Sequence, residues 1–311
     1  MTQVFIDGSA GTTGLRIRER LASRCDLRLL ELPEERRKDP QARAECFARA
    51  DVVFLCLPDA AAIEATDLIG ESDAVVIDTS TAHRVAPGWC YGFPELPGQR
   101  EKIRSSKRIA NPGCHAGGFI SLVSPLVSGG LISPDVTLAC FSLTGYSGGG
   151  KKMIAEYEDE ANEARFKAPR LYGLSQSHKH LPEMKALCGL KSPPVFVPIV
   201  SSYYAGMAVT VELHANLIRG SVDDVRALYR DLYRGKIVRY TENGADPDGL
   251  LSAGAFAGRD DMEISVFGND ERVLLVSRFD NLGKGASGAA IQNMNLVLGC
   301  PEETGLVLGT E

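Results

Sequence analysis

Residues 3–23, QVFIDGSAGTTGLRIRERLAS, change texture twice. QVFIDG is a short apolar strand, GSAGTTG a glycine-rich turn, and LRIRERLAS an amphipathic helix with Leu15, Ile17 and Leu21 as its apolar positions. Gly8, Gly11 and Gly14 are spaced G-x-x-G-x-x-G. That differs from the common G-x-G-x-x-G fingerprint but keeps its logic: a tight turn, close approach of backbone to a pyrophosphate, and helix N-terminal N–H groups to bind it. Gly8, Ser9, Gly11, Thr12, Thr13 and Gly14 are therefore candidates to hold a dinucleotide. A plain strand–turn–helix connection has the same composition, and the loop's place between a strand and a helix favours the nucleotide.

DLRLLELP (26–33) is a second strand, with Glu31 about where an acid meets a ribose 2′-hydroxyl. Directly after it, EERRKD offers Arg36, Arg37 and Lys38, any of which can neutralise a 2′-phosphate, so the stretch favours NADP over NAD; a solvated charged loop is the alternative. ADVVFLCLP (50–58) and DAVVIDTS (73–80) are two further buried strands separated by the helical DAAAIEATDLIGE. Strands alternating with helices mean a parallel sheet with crossovers. Ligands then belong outside the strands' carboxyl ends, near Leu57-Pro58 and Asp78-Thr79-Ser80, which makes Ser80 a cofactor candidate.

A length of 311 residues allows two domains and a substantial core, and 44% hydrophobic with 24% charged residues is ordinary for a globular enzyme. The formal charge of −6 carries no footprint for nucleic acid or an anionic membrane, and no apolar run reaches a membrane span. MTQVFIDGSAG lacks the basic and apolar regions of a signal peptide, so the expected location is cytoplasmic.

NPGCHAGG (111–118) places a cysteine after an Asn-Pro-Gly turn and before the apolar run Phe119, Ile120, Leu122, Val123. A thiol opening a helix feels the positive end of the dipole, which favours thiolate. The eight cysteines show no C-x-x-C pair, so neither a zinc site nor a thioredoxin motif is expected, nor any metal. Cys56 and Cys140 sit within apolar strand-like runs and read as buried hydrophobes; Cys114 alone follows a turn and opens a helix.

The second half has longer strands with turns between them, which suggests antiparallel pairing and an α+β domain. Its GYSGGGKK (145–152) reads as a glycine-rich cationic loop able to bind carboxylate or phosphate through backbone N–H groups and Lys151 or Lys152. NLGKGASGAAIQNMNLVLG (281–299) is a glycine-rich turn and a small-residue helix, placed to return to the nucleotide domain. Of five histidines, His178 and His180 in SQSHKHLPEM stand next to a helix start at Pro182 and Glu183. Pro182 disfavours helix before it, so the segment is expected to enter the site extended. His115 adjoins Cys114, but neighbours on a helix do not face each other, and His214 reads as structural.

On GSAGTTGLRI, IDTSTAHR, NPGCHAGGFISLVSPL, GYSGGGKKMI, HKHLPEM and DNLGKGASGAAIQNMN the chain resembles the N-acetyl-gamma-glutamyl-phosphate reductases of the arginine pathway, in their shorter form. More widely it resembles the aspartate-semialdehyde dehydrogenase superfamily. The resemblance implies an α/β fold: a Rossmann-like parallel-sheet nucleotide domain (1–113, with a returning C-terminal helix in 284–311) and an α+β catalytic and oligomerisation domain (114–283). It implies NADPH-dependent reduction of a small-molecule acyl phosphate through a cysteine thioester, in a homo-oligomer, dimer or tetramer, without nucleic acid or membrane. Cys114 is then the nucleophile and His180, the second histidine of HKH, the acid/base. Asn281 and Gly285 go with the cofactor, and Asn111, Ser147, Gly148, Gly149, Lys151 and His178 with the substrate. One departure is His115, where the family commonly carries tyrosine or phenylalanine. Two other readings stay open: a reductase of another acyl phosphate, such as aspartyl phosphate, and a nucleotide-binding regulator without catalysis.

Overall fold

Val4, Val52–Leu55, Val76 and Ile77 are fully buried, which is what a strand covered on both faces requires. In the computed structural model, which describes residues 1–309, they lie in a six-stranded, wholly parallel sheet. Its strands are β1 (Thr2–Asp7), β2 (Leu27–Leu30), β3 (Val52–Leu55), β4 (Val75–Asp78), β5 (Cys90–Tyr91) and β6 (Arg108–Ala110), in the order β2-β1-β3-β4-β6-β5. Alternate residues face opposite sides. Val4, Ile6, Phe54 and Ile77 pack with Ile17 and Leu21 of α1 (Thr12–Leu21) and with Ala290, Ile291 and Met294 of the small-residue helix. On the other side, Phe5, Val53, Leu55 and Val76 meet Phe47 of α2 (Pro40–Arg49) and Ala65 and Ile69 of α3 (Asp59–Ile69). With α4 (Gln99–Arg104), these elements form a unit made of residues 1–94, 98–112 and 286–306.

The second unit comprises 95–97, 113–285 and 307–309. Its strands are β7 (Ala139–Gly145), β8 (Arg170–Leu171), β9 (Val195–Ser201), β10 (Met207–His214), β11 (Val238–Tyr240), β12 (Met262–Gly268) and β13 (Arg272–Phe279), ordered β11-β12-β13-β10-β7-β9-β8. The fold class expected from the sequence, a parallel α/β sheet plus an α+β unit, is the one observed. The pairing is less uniform than expected: β12, β13, β10 and β7 run antiparallel, but β7–β9 and β11–β12 are parallel. The β7-to-β9 connection carries α6 (Gly150–Glu158), α7 (Glu163–Phe166) and α8 (Leu181–Leu187), which is long enough for a crossover and so permits a parallel return.

Helix α5 (Cys114–Ser128) lies on this sheet closely enough that a Cβ at Gly118 would sit 2.5 Å from Val209 Cγ2 and 2.9 Å from Phe279 Cε1. Its far end contains Pro125, which has no N–H to give the Ser121 carbonyl. Tyr233, at the end of α9 (Val222–Leu232), donates its hydroxyl to that carbonyl at 2.6 Å, and Tyr229 donates to the carbonyl of Leu122. Last in the chain is the small-residue helix, α10 (Gly288–Val297).

Tyr233 is 2% exposed, so Tyr233→Phe leaves the Ser121 oxygen buried without a partner. The expected cost is about 1–3 kcal/mol, read as a lower urea midpoint with unchanged slope. An unchanged midpoint would mean that this carbonyl needs no replacement donor.

Candidate active site

In the first unit the glycine loop sits where the strand order reverses between β1 and β3. Gly8 has φ +85, and a Cβ there would meet the Cys56 carbonyl oxygen at 2.3 Å; a Cβ at Gly14 would lie 2.5 Å from the Gly8 oxygen. Only glycine keeps this turn pressed against its neighbours. Beside it lies a cavity of about 240 Å³ lined by Gly8, Ser9, Ala10, Glu31, Arg37 and Lys38, among others. Glu31 is bound there by Arg18 at 2.7 Å. Of the basic run, Arg37 and Lys38 line the cavity, whereas Arg36 turns to Asp39 at 3.2 Å. Among the described residues the Thr12 hydroxyl, at the loop's end, is buried without a hydrogen-bond partner. The cradle, the cations and the unmet hydroxyl fit a phosphorylated dinucleotide.

At the end of β4, Asp78 is fully buried and accepts from the Ser80 hydroxyl at 2.7 Å and from the Ser80 N–H at 2.9 Å. His83 Nδ1 lies 2.6 Å from the same carboxylate, with its ring stacked on Trp89. Asn111 is buried as well: its amide donates to the Ala286 carbonyl at 2.9 Å and accepts from Asn293 at 3.3 Å.

The second unit holds the thiol. Cys114 is the first residue of α5, with Gly113 as its N-cap. Gly285 is packed so closely that an added Cβ would come within 3.0 Å of the Cys114 Cβ and of the Asp280 oxygen. The other strand and core cysteines are chemically quiet: burial pushes the Cys56 thiol up to about 12 and raises those of Cys46, Cys90, Cys140 and Cys188. Glu183 of α8 accepts from the Gly113 N–H at 3.3 Å, so a buried carboxylate braces the turn that leads into Cys114.

Three imidazoles gather around that first turn. The rings of His178 and His180 are 4.8 Å apart, and His115 lies 5.8 Å and 5.6 Å from them. The approach is not extended, as Pro182 had suggested. His180 is the N-cap of α8 in a right-handed helical conformation, because a proline in the first turn is already preset for helix. The His180 N–H then donates to His178 Nδ1 at 3.2 Å, which fixes the His178 ring. His115 is 3% exposed, with Nδ1 2.6 Å from Ser142 Oγ and Nε2 2.6 Å from the Tyr172 hydroxyl. Burial, and then the charge of His178, push its pKa down to about 3, so it stays neutral and does no acid–base work near pH 7. His214 is exposed at the end of β10.

GYSGGGKK is only partly a loop. Tyr146–Gly149 wind into a 3₁₀ turn and α6 begins at Gly150, which places Lys151 and Lys152, both exposed, in the first turn of a helix. Gly148 and Gly149 are exposed, and the Ser147 hydroxyl is buried and accepts from Asn281 at 2.9 Å. The Asn281 amide oxygen in turn takes the Gly206 N–H at 3.0 Å, so both of its ends brace the second unit. Three features have no local signature of their role: the half-buried Tyr172, the buried Glu183, and the ion pair in which Lys284 Nζ meets both Glu95 oxygens at 2.9 and 2.8 Å. Lys284 alone had a local signal, a lone cation in a run of small residues. Tyr172 and Glu183 matter through partners distant in sequence.

Two family models cover most of the chain: the semialdehyde dehydrogenase NAD binding domain over residues 3–106 and the semialdehyde dehydrogenase dimerisation domain over 114–281. N-acetyl-gamma-glutamyl-phosphate reductase 2 of Pseudomonas putida is 44% identical, over 97% of this chain and 98% of its own length. The protein of that name from Nostoc is 43% identical over 98% and 99%, and N-acetyl-gamma-glutamyl-phosphate reductase of Brucella ovis 44% over 96% and 99%. Among solved structures, aspartate semialdehyde dehydrogenase II of Vibrio cholerae superposes with a TM-score of 0.71 at 15% identity, covering 96% of this chain and 98% of that one. The enzyme from Candida albicans, solved with NADP, superposes at 0.68 and 15% identity, over 96% and 98%. These two matches speak for the fold alone; near-full-length identity and both domain models carry the kinship, and the chain belongs to the semialdehyde dehydrogenase family, among the N-acetyl-gamma-glutamyl-phosphate reductases.

Proposed function

We propose that the chain catalyses the NADPH-dependent reductive dephosphorylation of N-acetyl-L-glutamyl 5-phosphate to N-acetyl-L-glutamate 5-semialdehyde, a step of arginine biosynthesis. The chemistry rests on one observation: a cysteine on the first turn of a buried helix, with imidazoles packed around that turn. The substrate follows from the relatives' shared name. In this reading His180 takes the Cys114 proton as sulfur attacks the acyl carbon, phosphate leaves, and a thioester remains on the protein. NADPH, when bound, supplies the hydride that reduces the thioester carbon. His180 gives the proton to the oxygen of the resulting thiohemiacetal, recovers it as the carbon–sulfur bond breaks and passes it to the departing sulfur, which frees the aldehyde and restores the thiol.

The first unit is the cofactor's in this reading: Gly8, Ser9, Gly11, Thr12, Thr13 and Gly14 receive the pyrophosphate, and Arg37 or Lys38 the 2′-phosphate. The second unit is the catalytic one, where the N–H groups of Ser147–Gly149 with Lys151, and His178, receive the substrate's anionic groups. Asn281 and Gly285 are the second unit's candidates toward the cofactor; Asn281 holds the Ser147 hydroxyl, and Gly285 presses on the Cys114 Cβ. The dimerisation model that matches this unit supports a homo-oligomer. No described helix is long and apolar enough to cross a membrane, and the proposed setting is the cytoplasm.

The direct test is NADPH oxidation with N-acetylglutamyl phosphate and with aspartyl phosphate, the product aldehyde being identified in each case. Turnover of the first with little of the second is expected, and His180→Asn should slow it by about 10²–10⁴-fold. Equal use of both acyl phosphates would overturn the assigned substrate, and a full-speed His180→Asn the assigned acid/base.

For the cofactor, Arg37→Ala or Lys38→Ala should weaken NADPH binding roughly ten- to a hundredfold while leaving NADH almost untouched. That is the effect of losing one charge-assisted contact of about 1.5–3 kcal/mol. If titrations show both variants treating the two cofactors alike, the basic run is only a solvated loop.

A further inference from the structure

The loop between Tyr172 and His180 is clamped to β9 at several points. The Tyr172 N–H donates to the Pro198 carbonyl at 3.1 Å, and the Gln176 amide bonds both the N–H and the carbonyl of Phe196, at 2.9 and 2.8 Å. Gly173, at φ +63, turns the chain so that the Tyr172 and His178 rings stand 5.9 Å apart. Tyr172 thereby closes the ring of side chains around the first turn of α5, with its hydroxyl 2.6 Å from His115 Nε2.

The direction of that hydrogen bond follows from Ser142. Its side chain is fully buried on β7, and among the described residues its hydroxyl has His115 Nδ1 as hydrogen-bond partner. The Ser142 proton therefore points at Nδ1, since the opposite tautomer would strand a buried O–H. Nδ1 then accepts, Nε2 carries the proton of the neutral ring, and Nε2–H donates to the Tyr172 oxygen. The Tyr172 proton is left to point away from His115.

We propose that Tyr172 is a further catalytic residue: its hydroxyl, aimed by the His115 imidazole, donates a hydrogen bond to the acyl oxygen as Cys114 attacks. No proton is transferred; negative charge that gathers on oxygen in the tetrahedral intermediate meets a donor already in place. Burial, followed by the nearby Cys114 sulfur, raises the Tyr172 pKa, so the phenol keeps its proton throughout the working range. The inference rests on Cys114 being the nucleophile.

Tyr172→Phe removes the donor and keeps the ring. The expected result is a fall of about 10²-fold in kcat for the acyl phosphate, with KM and NADPH affinity unchanged; the His115 Nε2–H, left buried without its acceptor, lowers the urea midpoint as well, so kcat is read well below the unfolding transition. Nitrogen-15 NMR of His115, which needs no turnover, should show the Nε2–H tautomer and no titration between pH 8 and 5. Parental kcat in Tyr172→Phe, a loss carried by KM with kcat kept, or an Nδ1–H tautomer would each overturn the inference. A parent enzyme that fails to reduce the acyl phosphate would instead overturn the proposed function and take this inference with it.

Discussion

The close seating of α5 on the seven-stranded sheet governs the second unit. Gly118 meets Val209 and Phe279 where no Cβ fits, and Gly285 presses on the Cys114 Cβ. Interiors are close-packed, so a helix held this tightly has little freedom to slide, and its first turn is fixed against β7 and the 172–180 loop. Small residues at Ala116, Gly117 and Gly118 allow the approach; Pro125 and the two tyrosine hydroxyls close the far end. A nucleophile on such a helix is positioned before any substrate arrives, which is where most of the advantage of an intramolecular reaction lies.

The histidines around that turn divide the work by environment. His115 is enclosed and bonded at both nitrogens, so burial holds it neutral and makes it a fixed hydrogen-bonding bridge. The His178 ring caps the backbone of His180. His180 itself stands at the head of α8, and in the proposed mechanism it alone moves protons. Three residues of one type, within 6 Å of one another, thus stand in three different environments.

Much of this was legible in the sequence because it is encoded locally. The glycine spacing after the first strand marks the tight turn into α1, continuous apolar runs mark a two-sided parallel sheet, and a cysteine after Asn-Pro-Gly marks a helix opening. What was not legible depends on partners far apart in the chain. The parallel return of β9 is a property of a crossover, not of its residues. Pro182 pointed to an extended approach because the rule for the residue before proline is statistical, and the helix start won. Lys151 and Lys152 look like loop cations until the turn before them is seen to wind into α6. Tyr172, Glu183 and the Glu95–Lys284 pair acquire meaning only through contacts between distant segments. The basic run shows both sides: composition offered three cations, and only the fold separates Arg37 and Lys38 from Arg36.

Everything proposed for the chemistry passes through a covalent bond at Cys114, and that bond can be trapped. Incubating the protein with N-acetylglutamyl phosphate in the absence of NADPH, then digesting under mildly acidic conditions and analysing the peptides by mass spectrometry, reads it directly. The expected result is an N-acetylglutamyl thioester on the peptide carrying Cys114, lost on adding NADPH and absent in Cys114→Ser. An acyl group found on another cysteine, or NADPH oxidation at parental rate by Cys114→Ser, would contradict it.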